Sequence, residues 1–83
     1  MYELRFNDKF RNDAKKLDNS VKIQLNKKLE KLKNGQVKVK PLRGRLTGKN
    51  KIRIGNYRII YKFIDIKNIE LLEVELRDKI YKK

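Results

Sequence analysis

Two stretches of this sequence carry side chains suited to gripping a phosphate: KIRIGNYRIIYKF, residues 51–63, and VELRDKIY, residues 74–81. In the first, Gly55-Asn56 is a two-residue hairpin signal, with glycine supplying the positive φ of a type II′ turn. That turn sets Ile54 opposite Tyr57, Arg53 opposite Arg58, Ile52 opposite Ile59 and Lys49 opposite Lys62. Side chains alternate between faces along a strand. Ile52, Ile54, Tyr57, Ile59 and Tyr61 therefore share one face, and Lys49, Lys51, Arg53, Arg58 and Lys62 the other. Like charges facing each other across a ladder cost about 0.2–1 kcal/mol a pair, a cost that a bound phosphodiester chain would remove. Arg77, just past the last strand, can reach the same area. Tyr81 in the tail can stack on a base, a contact that contributes about 1–3 kcal/mol. These residues also have an ordinary reading, in which Glu73 and Glu75 neutralise the arginines across the ladder and Tyr81 anchors the sheet. Jointly they point to anion binding; alone they do not establish catalysis.

Composition limits what else the chain can do. Its 83 residues, 39% of them hydrophobic, suffice for one core, so residues 1–83 read as a single domain. Cysteine and histidine are absent. That removes thiolate chemistry, disulfides, the commonest metal ligand and the usual general base near neutral pH. No metal or other cofactor is expected. The formal charge of +14 attracts polyanions: nucleic acid first, an acidic protein second, an anionic membrane third. A genomic bias toward lysine is the plain alternative. The N-terminus lacks a signal-peptide core and no stretch is apolar enough to span a bilayer, so a cytoplasmic location is the expectation.

The elements that would position these cations follow from periodicity. YELRF alternates Tyr2, Leu4 and Phe6 against Glu3 and Arg5 as a short strand. Asn7 or Asp8 caps a helix carrying Phe10, Ala14 and Leu17, and Ser20 caps a second with Val21, Leu25, Leu29 and Leu32 on its stripe. Asn34-Gly35 ends that helix. Lys27, Lys28, Lys31 and Lys33 read as its solvated face, and Ile23 lies off the stripe. QVKVKPLRGRLTG is a basic loop in which Lys38, Lys40, Arg43 and Arg45 join Lys49 and Lys62 as candidate nucleic-acid contacts, with a short extended piece over Val37–Val39. After the hairpin, DIKN turns the chain into a last strand, IELLEVEL, with Leu72, Val74 and Leu76 on one side and Glu73 and Glu75 on the other. The result is an α+β domain of two layers. An N-terminal strand and a two-helix hairpin precede a three-stranded antiparallel meander, and one sheet face stays open.

LRG at residues 42–44, KIRIGNYRIIYKF and VELRDKIY resemble, in order, three segments of RelE/ParE-superfamily toxins of toxin–antitoxin pairs. These are the loop before the hairpin, an R-x-G-x-Y-R-x-x-Y hairpin and a C-terminal V-G-H-R-x-x-x-Y segment. The likeness is to the RelE-like members and covers nearly the whole chain. It implies a RelE-like fold and a ribosome-dependent endoribonuclease that cuts mRNA in the A site and inhibits translation. It also implies an acidic, RelB-like antitoxin as partner. Carried over by motif, the catalytic residues are Lys51, Arg53, Arg58, Arg77 and Tyr81. Glu75-Leu76 stand where many relatives have glycine-histidine, so no histidine takes part.

The implied chemistry is attack of a 2′-hydroxyl on the adjacent phosphate. Arg53 and Arg58 would hold that phosphate and its developing charge, and Lys51 is the better candidate for the base. Arg77 would support the leaving oxygen, and Tyr81 would orient the base or the 2′-hydroxyl. Three readings compete. A ParE-like toxin inhibits DNA gyrase without cutting RNA, a non-catalytic basic module only binds nucleic acid, and a pure protein-interaction domain uses its basic face only to receive an acidic antitoxin.

Overall fold

The computed structural model describes residues 1–44 and 47–76. Strand β1 (Glu3–Phe6) leads into helices α1 (Asp8–Lys15) and α2 (Asn19–Lys33), followed by strands β2 (Asn50–Ile54), β3 (Tyr57–Phe63) and β4 (Asn68–Leu76). The four strands form one sheet in the order β1-β4-β3-β2. The last three make the expected antiparallel meander, and β1 adds parallel to β4, Leu4 beside Ile69.

Local chemistry sets the helix ends. The Phe10 N–H donates to the Asn7 side-chain oxygen at 2.8 Å, capping α1. Helix α2 starts ahead of the expected Ser20 cap. Asp18 is its N-cap, with no side-chain cap bond, and the Asp18 carbonyl accepts from the Lys22 N–H at 2.9 Å. At the far end Gly35 takes φ +72°, while Gln36 N–H donates to the Lys31 carbonyl and Gly35 N–H to that of Leu32. This Schellman arrangement satisfies carbonyls that the helix end would otherwise strand.

The apolar hairpin face packs under the helices as expected. Ile52, Ile54, Ile59 and Tyr61 join Phe10, Leu17, Leu25, Leu32, Ile69, Leu71 and Val74 in one core. The last strand departs from simple alternation. Tyr61 pairs with Leu71 but Ile60 with Glu73, so Leu72 is the extra residue of a β-bulge. The bulge resets the two-residue period: Ile69 and Leu71 face the core before it and Val74 after it. Leu72 therefore does not share the core register expected for it. Beyond Phe6 no strand among the described residues covers the outer edge of β4. There α1 takes over, and Asp13 Oδ2 accepts from the Val74 N–H at 3.0 Å.

The loop before β2 forms no strand at Val37–Val39; among the described residues its one ladder contact is a bridge from Pro41 to Asn50. Leu42 N–H donates to the Lys49 carbonyl, and Lys51 N–H to the Lys40 carbonyl. Residues 40–42 thus lie along the outer edge of β2. No helix among the described residues is long and apolar enough to cross a membrane.

Candidate functional site

The hairpin sets the geometry. Gly55 has φ +55° and Asn56 does not have positive φ, which makes the bend type II′. Ile54 pairs with Tyr57, Arg53 with Arg58 and Ile52 with Ile59, as the turn requires, and the ladder closes with Asn50 beside Tyr61. It ends there, so the expected Lys49–Lys62 pair is not part of it.

Arg53 and Arg58 are cross-strand neighbours on the face away from the helices, one pleat from Lys51. Yet this face is not left open as a uniform cation column. Ile60 alternates onto it and is fully buried, and β4 brings carboxylates to it. Arg58 donates through Nε to Glu75 Oε2 at 2.9 Å, with only 11% of its side chain exposed. Lys62 lies 3.7 Å from Glu70. Glu73 is held by Lys9 of α1 at 3.4 Å, and the Lys9–Asp13 hydrogen bond is the main cause that raises the Lys9 pKa. The ordinary cross-strand pairing therefore occurs on β3 and β4. It uses one donor of the Arg58 guanidinium, which has five.

The cations of β2 are in a different state. Lys51 and Arg53 line a cleft of about 330 Å³ with Lys28 and Lys31 of α2 and Lys38 and Lys40 of the preceding loop. Among the described residues none of these six is within ion-pair distance of a carboxylate. Sequence reading placed Lys28 and Lys31 on a solvated helix face. The 3.6-residue period marks what faces the core, and nothing in it tells which loop runs past the other side. Of the remaining expected contacts, Arg43 is exposed and Lys49 half-buried. Arg45, Arg77 and Tyr81 lie outside the described residues.

Comparison with known proteins places this geometry. A comparison with curated protein sequences returns no match. Among solved structures, the toxin–antitoxin complex RelBE2 from Mycobacterium tuberculosis contains a chain that superposes with a TM-score of 0.77 at 28% identity, over 92% of this chain and 98% of that one. The isolated E. coli RelE toxin gives 0.74 at 31% identity, over 92% and 84%. E. coli YafQ gives 0.77 at 17% identity, over 98% and 99%, a likeness of fold. The family model for the ParE toxin of the type II toxin–antitoxin system parDE matches residues 4–81. The chain belongs to that family, as a toxin with the RelE-like fold within the RelE/ParE superfamily.

Proposed function

We propose that this toxin is a ribosome-dependent endoribonuclease that cuts mRNA in the A site and so inhibits translation. The observation that carries the reading is the Lys51–Arg53–Arg58 cluster, built by a two-residue turn on the hairpin whose motif suggested RNA cleavage. RNA can supply its own nucleophile, so the protein has three tasks: to accept the 2′-hydroxyl proton, stabilise the charge on phosphorus and protonate the leaving 5′-oxygen. Arg53 is exposed, and Arg58, oriented through its Nε, keeps its terminal N–H groups for two phosphate oxygens. Lys51 is the candidate base. Arg77 would stand at the leaving oxygen and Tyr81 would orient the base or the 2′-hydroxyl. Lys38, Lys40, Arg43, Arg45, Lys49 and Lys62 would add phosphate contacts, Lys62 by giving up its Glu70 contact. The products are a cyclic phosphate and a 5′-hydroxyl.

A partner follows from the same reading. The M. tuberculosis and E. coli relatives are found in toxin–antitoxin complexes, and a chain of charge +14 suits an acidic, RelB-like antitoxin that holds it inactive.

The test is expression of the wild type beside an Arg77→Ala, Tyr81→Phe double variant, with growth and transcript 5′ ends scored together. The proposal expects growth arrest with new ends inside translated message for the wild type, and neither for the variant. Arrest without new ends would move the target to gyrase or to simple occlusion.

A further inference from the structure

We infer that the cleft between α2, the loop at residues 36–40 and the outer edge of β2 is the path along which a single RNA strand leaves the hairpin site. The inference rests on the nuclease reading for the identity of the strand. Its geometry is separate: Lys28 and Lys31 belong to no part of the proposed catalytic cluster.

Charge is the first argument. The carboxylates of β4 are engaged by Arg58, Lys62 and Lys9, whereas Lys28, Lys31, Lys38, Lys40, Lys51 and Arg53 line one cleft with no carboxylate among its lining residues. Cations gathered this way repel one another until an anion with regularly spaced charges enters. Continuity is the second. Lys51 and Arg53 belong both to the hairpin site and to this cleft, and a second cleft sharing Lys28, Lys31 and Arg53 extends it to the turn at Gly55. A strand held by its phosphate at Arg53 has an unbroken basic track before it.

The backbone adds a third argument. In a two-residue hairpin every second residue turns its N–H and C=O away from the partner strand. Lys51 does so, and its N–H meets the Lys40 carbonyl at 3.1 Å. Arg53 faces the same way, and among the described residues its N–H finds no acceptor there. It is placed to donate to a phosphate oxygen.

The lining also says what is read. None of it is aromatic, so the cleft offers no platform for base stacking and recognises the sugar–phosphate chain regardless of sequence. Val37 and Ile52 are its only apolar members, too little to seat the hydrophobic anchors of a protein partner. A volume of about 330 Å³, at the small end of ligand clefts, takes one strand rather than a duplex.

The test is binding of a fluorescent 2′-O-methyl oligoribonucleotide of about ten residues, measured against salt. That probe has no free 2′-hydroxyl, so binding is read without cleavage. Compared are the wild type, a Lys28→Gln, Lys31→Gln variant and a Lys15→Gln, Lys16→Gln variant that loses the same charge from α1 and its end. At about 0.7 per phosphate contact on single strands, the first variant should flatten the log affinity–log salt slope by roughly 1.4, and the control should keep the wild-type slope. Duplex RNA and a poly-glutamate peptide of equal charge should bind more weakly than the single strand. Equal slopes in the two variants, or preference for the duplex or the peptide, would overturn the inference. Either result stands apart from the nuclease test: a toxin that leaves no new 5′ ends can still show the slope, and one that cuts can lack it.

Discussion

The Arg58 guanidinium donates through Nε to Glu75 Oε2 at 2.9 Å, between residues that are direct partners in the β3–β4 register. The arginine of the family's hairpin motif is thus clamped at its inner nitrogen by a carboxylate that stands where many relatives have glycine. A guanidinium fixed in this way has lost rotamer freedom before any ligand arrives, and among the described residues its two outer nitrogens have no hydrogen-bond partner.

Glu75→Gln should therefore have two effects. Replacing the anionic acceptor of a mostly buried guanidinium weakens a charge-assisted hydrogen bond, which costs about 1–2 kcal/mol, and the urea midpoint should fall with an unchanged m value. Affinity for single-stranded RNA should rise, because a carboxylate leaves the phosphate site. Equilibrium unfolding and oligonucleotide binding at fixed salt check both. An unmoved midpoint would mean that the pair contributes nothing in solution.

At the other edge of β4, Asp13 does for Val74 what β1 does for earlier rungs. Asp13→Ala leaves the half-buried Val74 N–H without its acceptor and should cost about 1–2 kcal/mol. Asp13→Asn keeps a side-chain oxygen and should cost less. Native-state hydrogen exchange reads the contact directly: the Val74 amide should lose protection in the alanine variant and hold more of it in the asparagine variant. Equal protection in both would remove Asp13 from that role.

Tyr61 gives a prediction with a pH sign. It is fully buried, and its hydroxyl has no partner among the described residues. Burial, followed by the charge of Tyr2, raises its pKa above the ordinary value of 10.0. The folded state thus holds the phenolic proton more tightly than the unfolded chain. Stability is intact below about pH 10 and is lost as pH rises through the folded value. Tyr61→Phe removes a hydroxyl desolvated without compensation, so stability at pH 7 should be unchanged or higher. The extra alkaline loss of the wild type above pH 10 should shrink in the variant. A loss of more than about 1 kcal/mol at pH 7 would show that the hydroxyl has a hydrogen-bond partner after all.

Much of this was readable before any coordinates. The Gly55-Asn56 bend and strict alternation around it fixed the register through Ile52–Ile59, because a two-residue loop leaves no freedom to slip. Tertiary adjustments were not readable. The adjacent Leu71 and Leu72 are consistent with a bulge, yet either could have faced the core. The N-cap of α2 is Asp18 and not Ser20, a choice the sequence leaves open because Asp18, Asn19 and Ser20 are all cap-forming types. At the site, Arg53 beside Arg58 followed from the turn, and so did the option that Glu75 neutralises Arg58. The cleft of Lys28 and Lys31 did not, since it depends on where residues 38–40 pass beside α2. Arg45, Arg77 and Tyr81 fall outside the described residues, so the role of Arg45 rests on the basic loop sequence and the catalytic roles of Arg77 and Tyr81 on the family motif.

The most direct measurement is primer extension on a defined message held in purified ribosomes, with the toxin added in excess. Two messages are compared, one all-ribose and one with a single 2′-deoxynucleotide at the position cut in the first. Attack by the 2′-hydroxyl predicts a new 5′ end on the all-ribose message, none at the deoxy position, and a cut slowed at least a hundredfold by Arg58→Ala. A cut at the deoxy position, or no cut in either message from a toxin that still arrests growth, would contradict the account.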